Sequence, residues 1–349
     1  MWEFFADYGL FLIKSVTVLV VVVLIISLAA RMRREDLPGL QSGHLEVEAL
    51  NDRYKAEADA LRTLVWDDAQ WKLEKKARKQ RLKDDKKRAK SKEPAPVKPK
   101  LFVLQFKGDI AASAVAHLRH EVSALLAVAN KEQDEVLLLL ESPGGMVHGY
   151  GLAASQLVRI REAGLKLTVC VDKVAASGGY LMAAIANRLL AAPFAVVGSI
   201  GVVAQIPNVH RLLKRHDVDV ELMTAGEYKR TLTVLGENTE AGRQKFQEDL
   251  DDTHALFKEF VQQWRSSLDI DRVGTGEHWY GSRAIDLGLI DEIKTSDDYL
   301  RERAKTADLF ALHWRTKSTL GQRLGLAATH SMDQLLLRWW QRSMQTPKF

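Results

Sequence analysis

The sequence predicts an α/β protein carried on a membrane anchor, and three observations predict it. After about residue 100, short apolar strand-like runs alternate with helical patterns, as in parallel sheets covered by helices on both sides. An uncharged stretch of bilayer length stands near the N-terminus. A basic run and a proline-rich linker then separate the two.

The chain has 349 residues, 46% of them hydrophobic, enough for one or two domains with a substantial core. From Ser15 to Ala30, SVTVLVVVVLIISLAA carries no charge, and Tyr8–Ile13 extends it upstream with only Lys14 between. Glu3 and Asp7 precede this stretch and Arg31, Arg33 and Arg34 follow it, the reverse of a cleaved signal peptide. Residues 1–34 are therefore expected to be an uncleaved anchor, and the cationic flank puts the C-terminal side in the cytoplasm.

Residues 35–92 are expected to form a charged, Lys-rich helical segment. Leu50, Tyr54, Ala58, Leu61 and Val65 recur at helical spacing, and the pattern passes into Trp71–Lys92, with twelve Lys or Arg against three acidic residues. That local excess outweighs the net charge of +5, so the pI near 9.1 is no sign of nucleic acid binding, for which interleaved aromatics after Trp71 are also lacking. A solvated stalk is the plainer reading, and anionic lipid headgroups are a second partner for such a segment. Pro94, Pro96 and Pro99 suit neither helix nor strand, which places a linker at 93–100.

The domain that follows is read over 101–296. Strands are expected at Leu101–Phe106, Val136–Leu140, Leu167–Val171 and Val218–Met223; helices at Ala111–Val128, Val147–Ala163, Ser177–Asn187 and Thr239–Trp264. In the last helix Phe246, Leu250, Phe257, Val261 and Trp264 share one face. The apolar stretch Leu181–Ile206 contains Asn187, Arg188, Pro193, Gly198 and Gly201, which argues for domain core and against a second membrane span. Residues 297–349 are a C-terminal extension whose Leu335–Leu337, Trp339 and Trp340 suit a membrane surface, a cap on a substrate channel or the protein's own core. Cys170 is the only cysteine, so neither a disulfide framework nor a thiol metal site is expected, and no cofactor or metal is called for.

Two glycine-bearing turns follow buried strands: Glu141-Ser142-Pro143-Gly144-Gly145 after VLLLL, and Ala175-Ala176-Ser177-Gly178-Gly179-Tyr180 after LTVCV. In a parallel sheet both should open on one crevice at the carboxyl ends of the strands. A serine that opens a helix there presents its hydroxyl where the helix N-terminus favours a developing oxyanion, although singly it is also an ordinary N-cap. A serine needs a base. His148, His210, His254 and His278 are spread through the chain with no Asp partner identified by spacing. A lysine with its pKa brought toward neutrality by burial is the other solution, but composition does not choose one lysine among so many.

The segments ESPGG (141–145), VAASGGY (174–180), APFAVVGSIGV (192–202), TAGEYKR (224–230) and HWYGSRAIDLGLIDEI (278–293) resemble the signal peptide peptidase A family of serine peptidases. The resemblance covers nearly the whole chain. It implies a Clp protease/crotonase-like fold of repeated ββα units and a Ser–Lys dyad, with Ser177 as nucleophile, Lys229 as base and Ser199 orienting the lysine. It further implies an oxyanion hole from the amides of Gly178 and of Gly144 or Gly145. The related Clp peptidases place a histidine some two dozen residues after the serine; Val202 stands there here, which favours the lysine. The resemblance also implies an acyl-enzyme, peptide or membrane-protein substrates, a place in the bacterial inner membrane, and a homo-oligomeric ring in which Lys229 reaches the serine of a neighbour. Family members are usually drawn with the catalytic domain in the periplasm, against the charge pattern. An S1 pocket is expected near Met146, Tyr180 and Val203. The alternatives are a catalytically silent membrane scaffold or chaperone, and crotonase-type acyl-CoA chemistry using Glu141.

Overall fold

The computed structural model describes residues 12, 14–17, 19, 20, 23, 43–90 and 98–316. The chain divides into two compact units, Leu45–Trp314 and Met1–His44 with Arg315–Phe349; the second lies almost wholly outside the described residues. No helix among the described residues is long and apolar enough to cross a membrane, and most of the anchor expected at 1–34 lies outside them.

Strand β1 (Gly43–Ala49) runs into α1 (Leu50–Val65), and α2 (Asp68–Lys90) follows. Then come β2 (Lys100–Lys107), α3 (Val115–Leu126), β3 (Glu135–Glu141), α4 (Val147–Glu162), β4 (Lys166–Val171), β5 (Val174–Ala176), α5 (Gly178–Ala183), β6 (Arg188–Ala191) and β7 (Val196–Gly198). The last part adds α6 (His210–Arg215), α7 (Glu240–Trp264), α8 (Ile270–Val273), β8 (His278–Tyr280), α9 (Gly281–Ala284), β9 (Glu292–Ile293), α10 (Ser296–Arg303) and β10 (Asp308–Thr316).

Seven strands form one sheet in the order β1-β10-β2-β3-β4-β6-β9, and three form a second in the order β5-β7-β8. From β10 to β9 every neighbouring pair is parallel. Side chains alternate across such strands, so each face meets its own helical layer. Leu104, Phe106, Leu138 and Leu140 pack with Leu118, Val122, Tyr150 and Leu157 of α3 and α4. Leu101, Val103 and Leu137 pack with Leu50 of α1 and Tyr299 and Leu300 of α10. The end of β3 leaves the first sheet for the second: Ser142 bridges Ala175 of β5.

Several expectations change. A single long charged helix over His44 to the Lys-rich run is replaced by β1 and two helices broken at Trp66 and Asp67. The break is local in origin, because the Asp67 carboxylate accepts from the Gln70 amide and starts a new helix. Asp59 then pairs with both Arg62 and Arg78, joining α2 to α1, and the Arg78 hydrogen bond lowers its pKa. The strand expected at Val218–Met223 does not form. Val218, Leu222 and Met223 are exposed at 48, 52 and 85%, and an unpaired strand has no neighbour to take its backbone hydrogen bonds. The helix expected from Ser177 to Asn187 ends at Ala183, because the chain must turn into β6. Finally, the sheet reaches past residue 296: β10 pairs with β2 from Asp308↔Lys100 to Ala311↔Val103.

Candidate active site

The two glycine turns interlock at the carboxyl ends of β3 and β5. Ser142 donates its amide to Val174 O (2.8 Å) and accepts from the Ala176 amide (3.0 Å), so the first turn is bonded to the strand that leads into the second. Gly144 has φ +92°, and a Cβ on it would lie 2.7 Å from Cβ of Ser177 and 2.9 Å from N of Gly178. Only glycine fits such an approach.

Ser177 stands immediately before α5 with φ 52°, ψ −121°, a conformation that costs a side-chain-bearing residue about 1–3 kcal/mol and persists only where its surroundings impose it. They do so here: its amide donates to Gly198 O (2.9 Å) and its carbonyl accepts from the Leu181 amide. Pairing of β5 with β7 sets Ala176 opposite Gly198, so Ser177 and Ser199 follow side by side. Ser199 is likewise in the left-handed region, with φ 51°, and its amide donates to Glu277 O (2.6 Å).

Both serines line a cavity of about 760 Å³, with Pro143, Gly144, Gly145 and Gly178 at one side and Val147, Leu181, Leu256, Phe257 and Phe260 along its walls. No Lys, Arg, His, Asp or Glu is among its described lining residues. The predicted oxyanion residues Gly144, Gly145 and Gly178 are thus brought to Ser177 and Ser199. Their amides differ in availability. That of Gly144 donates to Ser142 Oγ at 3.1 Å, whereas that of Gly178, first in α5, has no intrahelical partner.

Lys229 is not brought there. It sits in the segment between α6 and α7 that forms neither helix nor strand, its amide bonded to Gly226 O. Its neighbours Tyr228 and Arg230 line a separate polar cavity against the first turns of α7. Of the residues expected near S1, Val203 lines the main cavity, whereas Met146 lies outside its lining and Tyr180 is fully buried with its hydroxyl donating to Leu289 O (2.8 Å). Glu141, the residue crotonase chemistry would use, pairs with Lys107 and Lys173 and does not line the cavity. Among the histidines, His254 approaches the site, with Nε2 3.1 Å from Ile200 O.

Sequence reasoning missed Ser142 and Tyr150. The Tyr150 hydroxyl donates to Asp109 O (2.9 Å) and lies 2.5 Å from Ser142 Oγ. A phenol has one hydrogen, so Ser142 is the donor to Tyr150. Burial raises the Tyr150 pKa, against the lowering effect of the Ser142 hydrogen bond. Nothing local marks this pair.

A family model described as Peptidase family S49 matches residues 159–309, and one described as Peptidase family S49 N-terminal matches residues 3–157. The chain belongs to peptidase family S49. The S49 assignment agrees with the resemblance carried by the five segments quoted above. A probable protease SohB of Haemophilus influenzae is 49% identical over 97% of this chain and 96% of its own. A putative protease SohB of Buchnera aphidicola subsp. Baizongia pistaciae is 40% identical over 97% and 98%. A solved structure of a membrane-bound stomatin-specific protease shares 14% identity and a TM-score of 0.40 over 59% of this chain and 85% of that one, too slight to carry an argument. The S49 chain is a peptidase by this membership, on a mixed α/β fold rich in parallel strands.

Proposed function

We propose that this S49 peptidase is a membrane-bound serine endopeptidase working through a Ser–Lys dyad and an acyl-enzyme. The observation that carries the reading is the strained Ser177, lining the cavity between two glycine turns. Its hydroxyl attacks the peptide carbonyl, and the amide of Gly178 with that of Gly145 or Gly144 stabilises the oxyanion. The engagement of the Gly144 amide by Ser142 supports Gly145 as the second donor. Ser199, beside Ser177, orients the base. That base is Lys229, and the absence of any cationic side chain from the described lining supports its delivery by a second copy within a ring. The walls of Leu181, Leu256, Phe257 and Phe260 suit extended peptides with apolar side chains, such as membrane-derived segments. Residues 1–34 hold the enzyme at the bacterial inner membrane, and Arg31, Arg33 and Arg34 favour a cytoplasmic catalytic domain over the periplasmic one of the family analogy.

A fluorophosphonate probe tests the nucleophile. The full chain should be labelled at Ser177 and should cleave an internally quenched peptide with leucine before the scissile bond. Ser177→Ala should fold, take no label and lose turnover. Labelling that survives Ser177→Ala would sink the assignment.

A further inference from the structure

Tyr150 touches both turns that frame Ser177. Its ring lies against Gly178, where a Cβ would stand 2.4 Å from Cγ of Tyr150. Its hydroxyl accepts from Ser142 Oγ–H and donates to Asp109 O. Ser142 Oγ in turn accepts the amide of Gly144. One chain of hydrogen bonds thus runs from Gly144 N–H through Ser142 and Tyr150 to the loop after β2, and its members Ser142 and Tyr150 are fully buried.

We propose that Tyr150 is a positioning residue that holds the two oxyanion-hole turns at a fixed separation, its ring setting Gly178 and its hydroxyl, through Ser142, setting the Gly144–Gly145 amides. The inference rests on the nucleophile assignment above. A side chain needed for packing alone has no use for a hydroxyl in this place, since a phenylalanine ring fills the same volume and contacts Phe106 edge to face just as Tyr150 does, at 6.3 Å between centroids. What the hydroxyl adds is direction. It accepts the Ser142 hydrogen, which leaves a Ser142 lone pair for Gly144 N–H and fixes the plane of that peptide and of the next. Gly108 supports the arrangement: a Cβ there would fall 2.3 Å from the Tyr150 hydroxyl and 2.4 Å from Ser142 Oγ. Donors aimed at a developing oxyanion act in the transition state more than in substrate binding, so loosening them should lower kcat and leave KM nearly alone.

The test uses the full chain as wild type, Tyr150→Phe, Ser142→Ala and the double variant. Active sites are counted by fluorophosphonate labelling of Ser177, and melting temperatures are taken alongside. For Tyr150→Phe, kcat per titrated site should fall about ten- to a hundredfold with KM within about threefold. Tyr150→Phe leaves Ser142 Oγ–H without its acceptor, and the double variant leaves the buried Gly144 N–H without its own, so each carries the penalty of a stranded polar group. The double variant should therefore melt below wild type, as Tyr150→Phe does, and its kcat per titrated site should stay low. A merely structural role predicts wild-type kcat per titrated site in both variants, a result that overturns the inference. If Tyr150→Phe does not fold, Ser142→Ala carries the same expectation, because it removes the acceptor for Gly144 N–H and leaves Tyr150 bonded to Asp109; wild-type kcat there also overturns it. Failure of the wild type to label at Ser177 would overturn the nucleophile assignment and this inference with it, whereas a labelled Ser177 with unchanged variant kcat overturns this inference alone.

Discussion

Ser177 and Ser199 each adopt a positive φ that a side-chain-bearing residue rarely takes, and each is held by backbone bonds from another segment. The glycines around them advertise a turn in the sequence. The strain does not show there, because it is imposed by Gly198 and Glu277, which are distant or unremarkable in sequence. Glu121 is a second residue whose state is set by surroundings. It is buried at 5% exposure on α3, and its carboxylate accepts the Trp314 amide at 2.8 Å. Burial raises its pKa more than that hydrogen bond lowers it. A folded-state pKa above the unfolded value means that this group's contribution to stability is full below the unfolded value and is lost as pH rises through the folded one. Glu121→Gln keeps an acceptor for Trp314 and removes the ionisation. It should therefore melt higher than wild type at pH 7–8, with the gain shrinking as pH is lowered toward 4. An equal difference at both ends of that range would contradict the assignment.

At the scale of elements, the expected strands at 101–106, 136–140 and 167–171 and the helices at 147–163 and 239–264 recur within a residue or a few at their ends. Their apolar periodicity is long enough to be unambiguous. β5, β7 and β8 have three residues each, too few for any period, yet β5 and β7 lead directly into the two serines. For α7, the pattern pointed to the face with Phe246, Leu250, Phe257, Val261 and Trp264, of which Phe257, Val261 and Trp264 pack on the core. It did not show that Leu256 and Phe260 wall the cavity. β10 was hidden for another reason. A strand on a sheet's far side needs only a partner, and β2 supplies one some two hundred residues upstream. Leu309 of β10 is fully buried beside Leu101 and Leu300. Leu309→Ala should therefore destabilise the domain by about 2–5 kcal/mol in urea unfolding. A loss under about 1 kcal/mol, as for an exposed tail, would show that β10 is not integral to the fold.

For the whole molecule, the cavity presents Ser177, Ser199 and the glycine turns but no described cationic side chain. Lys229 lies in a segment that exposes Leu222, Met223 and Tyr228. Exposed apolar side chains of this kind are what a neighbouring subunit would cover, and under the proposed dyad that subunit would bring its own Lys229 to the cavity. Co-assembled Ser177→Ala and Lys229→Ala chains, each inactive alone, should then regain part of the wild-type activity, because one interface would join an intact serine to Lys229 of the partner subunit. A mixture that remains inactive, with both chains shown in the same oligomer, would place the dyad within one chain.

The sequence by itself determined the parallel α/β character of the domain, the two glycine turns at strand ends and, through ordered motifs, membership of a serine peptidase family. Each of these is written in neighbouring residues, as a period, a turn or a local motif. Only the tertiary structure decided that Ser177 lies beside Ser199, that Tyr150 spans both turns, that β10 completes the sheet and that Lys229 stands apart from the cavity. Those facts depend on strand register and on which buried groups meet, and such pairings are chosen by contacts between segments far apart in the chain, which no local period encodes.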